Sequence, residues 1–392
     1  MNNKPELNNS LKICVVMLCL ITQVFISCRP SSEKTAVEKT AAQNSGTAST
    51  YVKYAQCFTV DKSDDYTKIT IMDPWTKGQV MRSYILVDKT REMPENLPEG
   101  TIIKVPLGRV VCYSSVHCSI LEELGVVDSI VGVCEPHYVD IPVIQKKIKA
   151  GSIVDLGMAS NPDIEKIMLI NPDAILTSPL KEIGYGKVES VGIPLIDCVD
   201  YMESTPLART EWIRFIALLF GKEALADSLF AKTEQSYLEL KNLASSVKKR
   251  PTVVTEKKYG NAWHLPGGQS YMAHLLRDAG SAYCYEDDSS TGSLSYSFET
   301  ILDKCEHADF WLIKYFSGNE LTYNKLQAEY APYAFFDAFK NKNIFGCNTE
   351  KNRYYEDLPI HPDYILKDLI AIFHPDLLPG YQLRYHKKMS EK

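Results

Sequence analysis

Across residues 106–201 short apolar runs alternate with stretches of helical periodicity. Val110-Val111-Cys112, Ile130-Val131-Gly132-Val133-Cys134, Ala174-Ile175-Leu176-Thr177 and Pro194-Leu195-Ile196-Asp197-Cys198 have the apolar, β-branched character of buried strands. Between them the pattern predicts a helix over 116–124 stopped by Gly125, a second over 161–169, and a third ending at 189–192. Asn161 is the expected N-cap of the second, with Pro162 in its first turn, where a missing N–H costs nothing. Asn171-Pro172-Asp173 breaks it. From 206 to 250 the strand pattern stops. Trp212, Phe215, Ile216, Leu219 and Phe220 fall at helical spacing, Gly221 interrupts, and Leu225, Leu229, Tyr237, Leu240 and Leu243 continue the stripe to Pro251. A helix of roughly 25 residues spans about 37 Å, enough to bridge two lobes. Past Pro251 the alternation resumes, with a strand at 252–255, helices at 271–278 and 298–305, a strand at 310–314 and a closing helix at 362–373. Upstream, 68–72 and 82–87 flank the turn-rich segment 73–78 and predict two antiparallel strands.

Strands alternating with helices imply βαβ units. The expected fold is therefore α/β, with two Rossmann-like lobes of mainly parallel sheet joined by one long helix, plus a short N-terminal β extension. The expected boundaries are a β extension at 51–105, a lobe at 106–205, a helical linker at 206–250 and a second lobe at 251–392.

The N-terminus adds a location. Lys4 and Lys12 precede an uncharged run over 13–27 that ends at Cys28 and Arg29. That run is short for a span, which needs about 20 residues, and has the layout of a secretory signal; an uncleaved membrane anchor is the other reading. Phe25-Ile26-Ser27-Cys28 resembles a bacterial lipobox, so residues 1–27 are expected to be a signal peptide and Cys28 the lipidation site. Residues 28–50, polar and without periodicity, read as a flexible tether. The expected location is the periplasm-facing cell envelope, lipid-anchored. Eight cysteines then remain in the mature chain, mostly as free buried thiols with one or two bridges at most. The formal charge of −6 supplies no positive field for nucleic acid. No nucleic-acid partner is expected.

Signatures for nucleotide binding, serine hydrolysis, zinc proteolysis and calcium loops are missing, and the eight histidines are scattered. His117-Cys118 has no second pair to complete a metal site. Three stretches, Leu121 through Val133, Asn161-Pro162-Asp163-Ile164-Glu165 running on to Leu176, and Leu294 through Leu302, resemble the substrate-binding lipoproteins of ABC importers for iron–siderophore complexes, haem and vitamin B12. With the lobe–helix–lobe layout the resemblance covers about 106–375. It implies a monomer that is not an enzyme and carries no cofactor of its own. Such a protein captures a metal chelate between its lobes and delivers it to a permease. It further implies that Glu165 and Glu299, each near a helix start, dock against basic residues of the permease. Read as residues alone, each is equally an acid complementing a helix dipole.

Ligands in open α/β sheets lie beyond the carboxyl ends of strands. The loops placed there are aromatic and nominate Tyr113, His137, Tyr138, Tyr185, Tyr201, Tyr259, Trp263 and Tyr315 as ligand contacts, with His264 and Arg353 as further candidates. Aromatic rings offer a flat chelate large area at low entropy cost. Two other readings stay open: an exported α/β hydrolase-like enzyme, for which Ser114 or Ser178 with His137 is the best nucleophile–base set available, and a surface adhesin with a vestigial cleft.

Overall fold

The computed structural model describes residues 51–392. The expected signal peptide, Cys28 and the tether lie outside them. No helix of the described residues is long and apolar enough to cross a membrane.

The chain begins with a four-stranded sheet. β1 (Phe58–Lys62), β2 (Thr67–Met72) and β3 (Val80–Asp88) run antiparallel, and β4 (Thr101–Val105) joins β3 in parallel. On β2 the period of two is plain, since Ile69 and Ile71 are fully buried while Lys68 and Thr70 are not. β4 was not anticipated, because only Ile103 of its five residues is fully buried.

Within the first lobe come β5 (Val110–Cys112), α1 (Ser115–Glu123), β6 (Ile130–Val133), α2 (Pro142–Lys149), β7 (Val154–Asp155), β8 (Gly157–Met158), β9 (Asn161–Pro162), α3 (Ile164–Ile170), β10 (Ala174–Thr177) and β11 (Leu195–Asp197). The main sheet, ordered β11-β10-β5-β6-β7, is parallel throughout. Two local expectations change. Asn161 pairs with Met158 in the small β8–β9 hairpin, and Asp163 caps α3 instead, accepting from Lys166 N at 3.1 Å. An Asp placed two residues later captures the free N–H groups, and the helix begins after Pro162 rather than on it. The helix expected to end at 189–192 is a five-residue 3₁₀ segment, Gly186–Ser190, with only Val188 buried.

α4 (Pro206–Thr210), α5 (Trp212–Phe220) and α6 (Glu223–Ser245) follow. Gly221 ends α5 at φ +62°, a conformation that costs glycine nothing. The 23 residues of α6 reach about 35 Å. Its Ala226 and Phe230 belong to the core of the first lobe, its Tyr237 and Ala244 to the core of the second.

That second lobe contains β12 (Thr252–Thr255), β13 (Lys258–Tyr259), β14 (Ala262–Pro266), α7 (Tyr271–Asp278), β15 (Ala282–Tyr283), β16 (Ser293–Tyr296), α8 (Phe298–Cys305), β17 (Phe310–Tyr315), α9 (Tyr323–Glu329), α10 (Asp337–Lys340), β18 (Ile344–Asn348), α11 (Tyr354–Asp357), α12 (Pro362–Phe373) and β19 (His386–Lys388). Its main sheet, ordered β15-β12-β17-β18-β19, is parallel except for β19, and β13, β14 and β16 form a separate antiparallel sheet. The architecture is thus α/β with two parallel-sheet lobes on one shared helix. The eight cysteines among the described residues are free thiols.

Two buried polar arrangements hold the first lobe to its neighbours. Glu211 accepts main-chain N–H groups of Lys53, Tyr54 and Ala55 at 2.7, 2.7 and 2.8 Å, and Arg214 Nη1 at 3.2 Å. Glu203 accepts from Gln56 N, Cys57 N and Trp212 Nε1 at 3.0, 2.9 and 3.1 Å. Both carboxylates are buried, and these donors replace the water they have lost. On α1, His117 is buried with Nε2 3.4 Å from Ser178 Oγ, and its Nδ1 has no hydrogen-bond partner among the described residues. Burial lowers its pKa to about 4.

Glu211→Ala leaves three amides without their acceptor and removes one partner of Arg214, which keeps Asp227 and the Tyr51 carbonyl. It is expected to destabilise the protein by about 3 kcal/mol, read from urea unfolding. His117 stays neutral in the folded state but protonates normally when unfolded, so the unfolded state binds more protons between these pKa values. Stability is therefore lost as pH falls from about 6.5 towards about 4. Thermal unfolding across that window should show a shallower decline for His117→Gln than for the parent, and parallel declines would exclude this source.

Candidate functional site

The carboxyl ends of the parallel strands in both lobes open onto one cleft, occupied by two cavities of about 670 and 650 Å³. Glu256, Lys314 and Tyr355 line both, so these three residues form the partition between the cavities. Glu256 follows β12 directly and Lys314 is the penultimate residue of β17, the adjacent strand. Their side chains form an ion pair. Burial works against the Lys314 charge, but the Glu256 carboxylate more than offsets this and holds its pKa above the ordinary lysine value.

Glu256 has φ +64° and Glu135, just past β6 in the other lobe, has φ +48°. Neither is glycine, so each sits in a region that costs of order 1 kcal/mol or more and tends to mark a functional constraint. The Glu256 carbonyl accepts from Trp311 Nε1 at 2.6 Å, which fixes the turn.

The larger cavity is walled by rings from both lobes. Tyr138 meets Phe316 edge-on across the cleft at 5.7 Å, and the His137 ring lies 4.0 Å from Tyr138. Tyr113 and Tyr315 complete this wall. The Tyr315 hydroxyl donates to Glu320 Oε2 at 2.7 Å, which orients its ring. Glu356 on α11 is buried, and burial pushes its carboxyl above the usual range although Oε1 accepts from Asp140 N at 3.3 Å. The smaller cavity takes Tyr201, Tyr259 and His264. Tyr259 is widely exposed, whereas the Tyr201 hydroxyl donates to the Pro179 carbonyl.

Six of the eight aromatic and histidine positions nominated from sequence therefore border the cavities, and two do not. Tyr185 gives its hydroxyl to Asp197 at 2.8 Å and stands edge-on behind Tyr113 at 6.5 Å. Trp263 is not in a loop at all. It lies on β14, fully buried, stacked on Trp311 at 5.4 Å with Nε1 donating to Thr255 O at 3.0 Å. The alternation in Ala262–Pro266, where Trp263 and Leu265 point inward and His264 outward, is the signal that identifies it as a strand residue. Arg353 is spoken for as well, since Nη2 lies 2.6 Å from Glu122 Oε2 across the lobes.

Sequence reasoning missed Glu256, Lys314, Glu350 and Glu356. Lys314 carried a readable signal, being a cation at the end of the apolar run Phe310–Tyr315. The glutamates carried none, because surface loops are acidic in most chains.

Serine chemistry is poorly served by this geometry. Ser178 faces buried His117 rather than His137, and no third group orients the ring. Ser114 caps α1, its Oγ accepting from Val116 N at 3.2 Å. Glu165 and Glu299 are exposed in the first turns of α3 and α8, one in each lobe. The N–H groups at the start of α8 and the Ser297 hydroxyl hold the Glu299 carboxyl below its usual range.

Comparison with known proteins agrees with the fold. A Methanocaldococcus jannaschii lipoprotein is 28% identical over 304 residues, covering 74% of this chain and 70% of its own. Among solved structures, the periplasmic haem-binding protein HutB of Vibrio cholerae superposes with a TM-score of 0.55 at 19% identity, over 68% of this chain and 99% of its own. Helicobacter pylori CeuE in its nickel–histidine complex superposes with a TM-score of 0.56 at 17% identity, over 71% and 87%. The family model described as periplasmic binding protein matches residues 110–350, well over half the chain. The chain belongs to the periplasmic binding protein family, whose members are substrate-binding proteins.

Proposed function

We propose that this protein is the lipid-anchored receptor of an ABC importer, capturing a metal chelate (an iron–siderophore complex, haem or a corrinoid) and handing it to a membrane permease. The observation that carries the reading is the cleft itself. Its larger cavity, about 670 Å³, is walled by rings from two lobes and lies at the ends of parallel strands, where a flat or compact chelate gains contact on two faces at once. Relatives support the class: haem is bound by the Vibrio protein, and a nickel–histidine complex by the Helicobacter one. The anchor rests on the lipobox-like Phe25-Ile26-Ser27-Cys28 and on the lipoprotein relative. Two lipid chains at Cys28 hold a soluble domain on the membrane durably.

Docking is assigned to Glu165 and Glu299. One exposed carboxylate on each lobe lets a basic permease surface read the spacing of the lobes, and the pairs are charge-assisted.

Two measurements test these assignments. Calorimetric titration of the full chain in detergent with haemin, a ferric siderophore and cyanocobalamin should give saturable binding by at least one, with Kd of about 10 µM or tighter; absence of binding by all three overturns the reading. With both Glu165 and Glu299 changed to Ala, chelate affinity should stay within about twofold while stimulation of the cognate permease's ATPase in proteoliposomes is lost, since neither side chain reaches the cleft. Undiminished stimulation removes the docking assignment.

A further inference from the structure

The charges around the cleft narrow the ligand beyond the class of metal chelate, an inference that rests on the receptor reading above. Six carboxylates border the two cavities: Glu135, Asp140, Glu203, Glu256, Glu350 and Glu356. Against them stand two lysines and no arginine. Both lysines are already committed, Lys314 to Glu256 and Lys257 to Glu329. His137 and His264 are the remaining basic groups on these walls, so among the described residues an incoming anion finds no free lysine or arginine there.

The carboxylates are not all committed. Glu203 is satisfied by main-chain amides and the Trp212 indole, and Glu256 by Lys314. Glu135, Asp140 and Glu350 have no lysine or arginine within ion-pair distance among the described residues, and all three border the larger cavity. Glu135 and Asp140 come from the first lobe and Glu350 from the second, so negative charge faces the cavity from both sides. Glu135 is also one of three left-handed glutamates among the described residues, and it and Glu256 both border the cleft.

A second feature is independent of the carboxylates. Tyr113, Tyr138, Tyr315, Phe316 and Tyr355 surround the same space. Aromatic faces attract cations through the ring quadrupole and offer anions nothing comparable. Carboxylates together with ring faces make a cation-selective environment. The same walls repel a polyanion, because like charges in a partly desolvated cleft are screened less than in water.

We propose that the cleft selects a metal chelate of net positive charge, held by Glu135 and Glu350 from opposite lobes with the aromatic wall between them, and that polyanionic chelates are rejected.

The test uses ferric complexes that differ in charge. Ferrioxamine B is a ferric trihydroxamate with a pendant ammonium group, ferrichrome is a neutral ferric trihydroxamate, and ferric enterobactin is a tris-catecholate trianion. Titrated by calorimetry against the full chain in detergent, the cationic complex should bind about tenfold or more tightly than the neutral one, and the trianion weakest. Added salt should weaken the cationic complex most. Glu135→Gln and Glu350→Gln, which keep shape and remove charge, should each remove most of that advantage while leaving the neutral complex within about twofold. Binding of the trianion as tight as that of the cation overturns the inference and leaves the receptor reading intact. A cationic preference untouched by both glutamine variants overturns the assignment to these residues. Failure of all three complexes, together with haemin and cyanocobalamin, overturns the receptor reading and this inference with it.

Discussion

One helix belongs to two hydrophobic cores, and the cleft follows from that. α6 buries Ala226 and Phe230 with the first lobe and Tyr237 and Ala244 with the second, and its Tyr237 hydroxyl donates to Asp278 at 2.7 Å. Moving one lobe against the other means either bending the helix, which breaks main-chain hydrogen bonds along its length, or pulling one set of side chains out of a close-packed interior. Neither is cheap. Large relative movement of the lobes is therefore costly, and the cleft already stands as a cavity in this fold.

A second brace makes the same point nearer the site. α11 of the second lobe lies against α1 of the first. Ser119 Oγ donates to the Glu356 carbonyl at 2.7 Å, Arg353 pairs with Glu122, and His361 Nε2 lies 3.3 Å from Glu123 Oε1. The segment that supplies Tyr355 and Glu356 to the cleft is thus pinned by the other lobe. Site and brace share residues, so the geometry that receives the ligand is the geometry that holds the lobes apart. The α6 helix and the α11 contact together resist movement of one lobe against the other.

Much of this was legible in the sequence. Although β7, β15 and the buried β18 went unread, six of the parallel strands (β5, β6, β10 and β11 in the first lobe, β12 and β17 in the second), the long helix and the closing helix at Pro362–Phe373 read out directly, because buried strands and amphipathic helices imprint a period on the chain. β4 and the five-residue Gly186–Ser190 segment did not, since each buries a single residue and one point defines no period. At the site, strand-end logic located Tyr113, His137 and Tyr138 because it needs only the position of a strand. It misplaced Trp263, where a loop was inferred in place of a short antiparallel strand. The Glu256–Lys314 pair was invisible for a different reason: 58 residues separate the two, and only the parallel pairing of β12 with β17 brings them together. Local pattern predicts elements, whereas a site assembled by register across a sheet needs the sheet.

Glutamates play two roles in this molecule, and burial divides them. Glu165 and Glu299 keep their water, so meeting a basic partner costs them little desolvation, and the pairs they form can be made and broken on each transport cycle. Glu203, Glu211 and Glu356 are buried, and for them desolvation is the leading cost. Glu203 and Glu211 recover it from main-chain amides that fasten the start of the described chain to the first lobe. Glu356 has one amide at 3.3 Å, and burial holds its carboxyl, like that of Glu203, above the usual range. Glu135 stands between these extremes, half-buried at the wall of the larger cavity and without a cation of its own, while Glu350 of the other lobe borders the same cavity as an exposed carboxylate. A carboxylate so placed gains more from a bound positive charge than an exposed one does, because less water competes for it, yet it has not already been neutralised by the fold. That intermediate position is the one from which a side chain discriminates ligands by charge, and it is where the first lobe places Glu135, with Glu350 adding negative charge from the opposite rim.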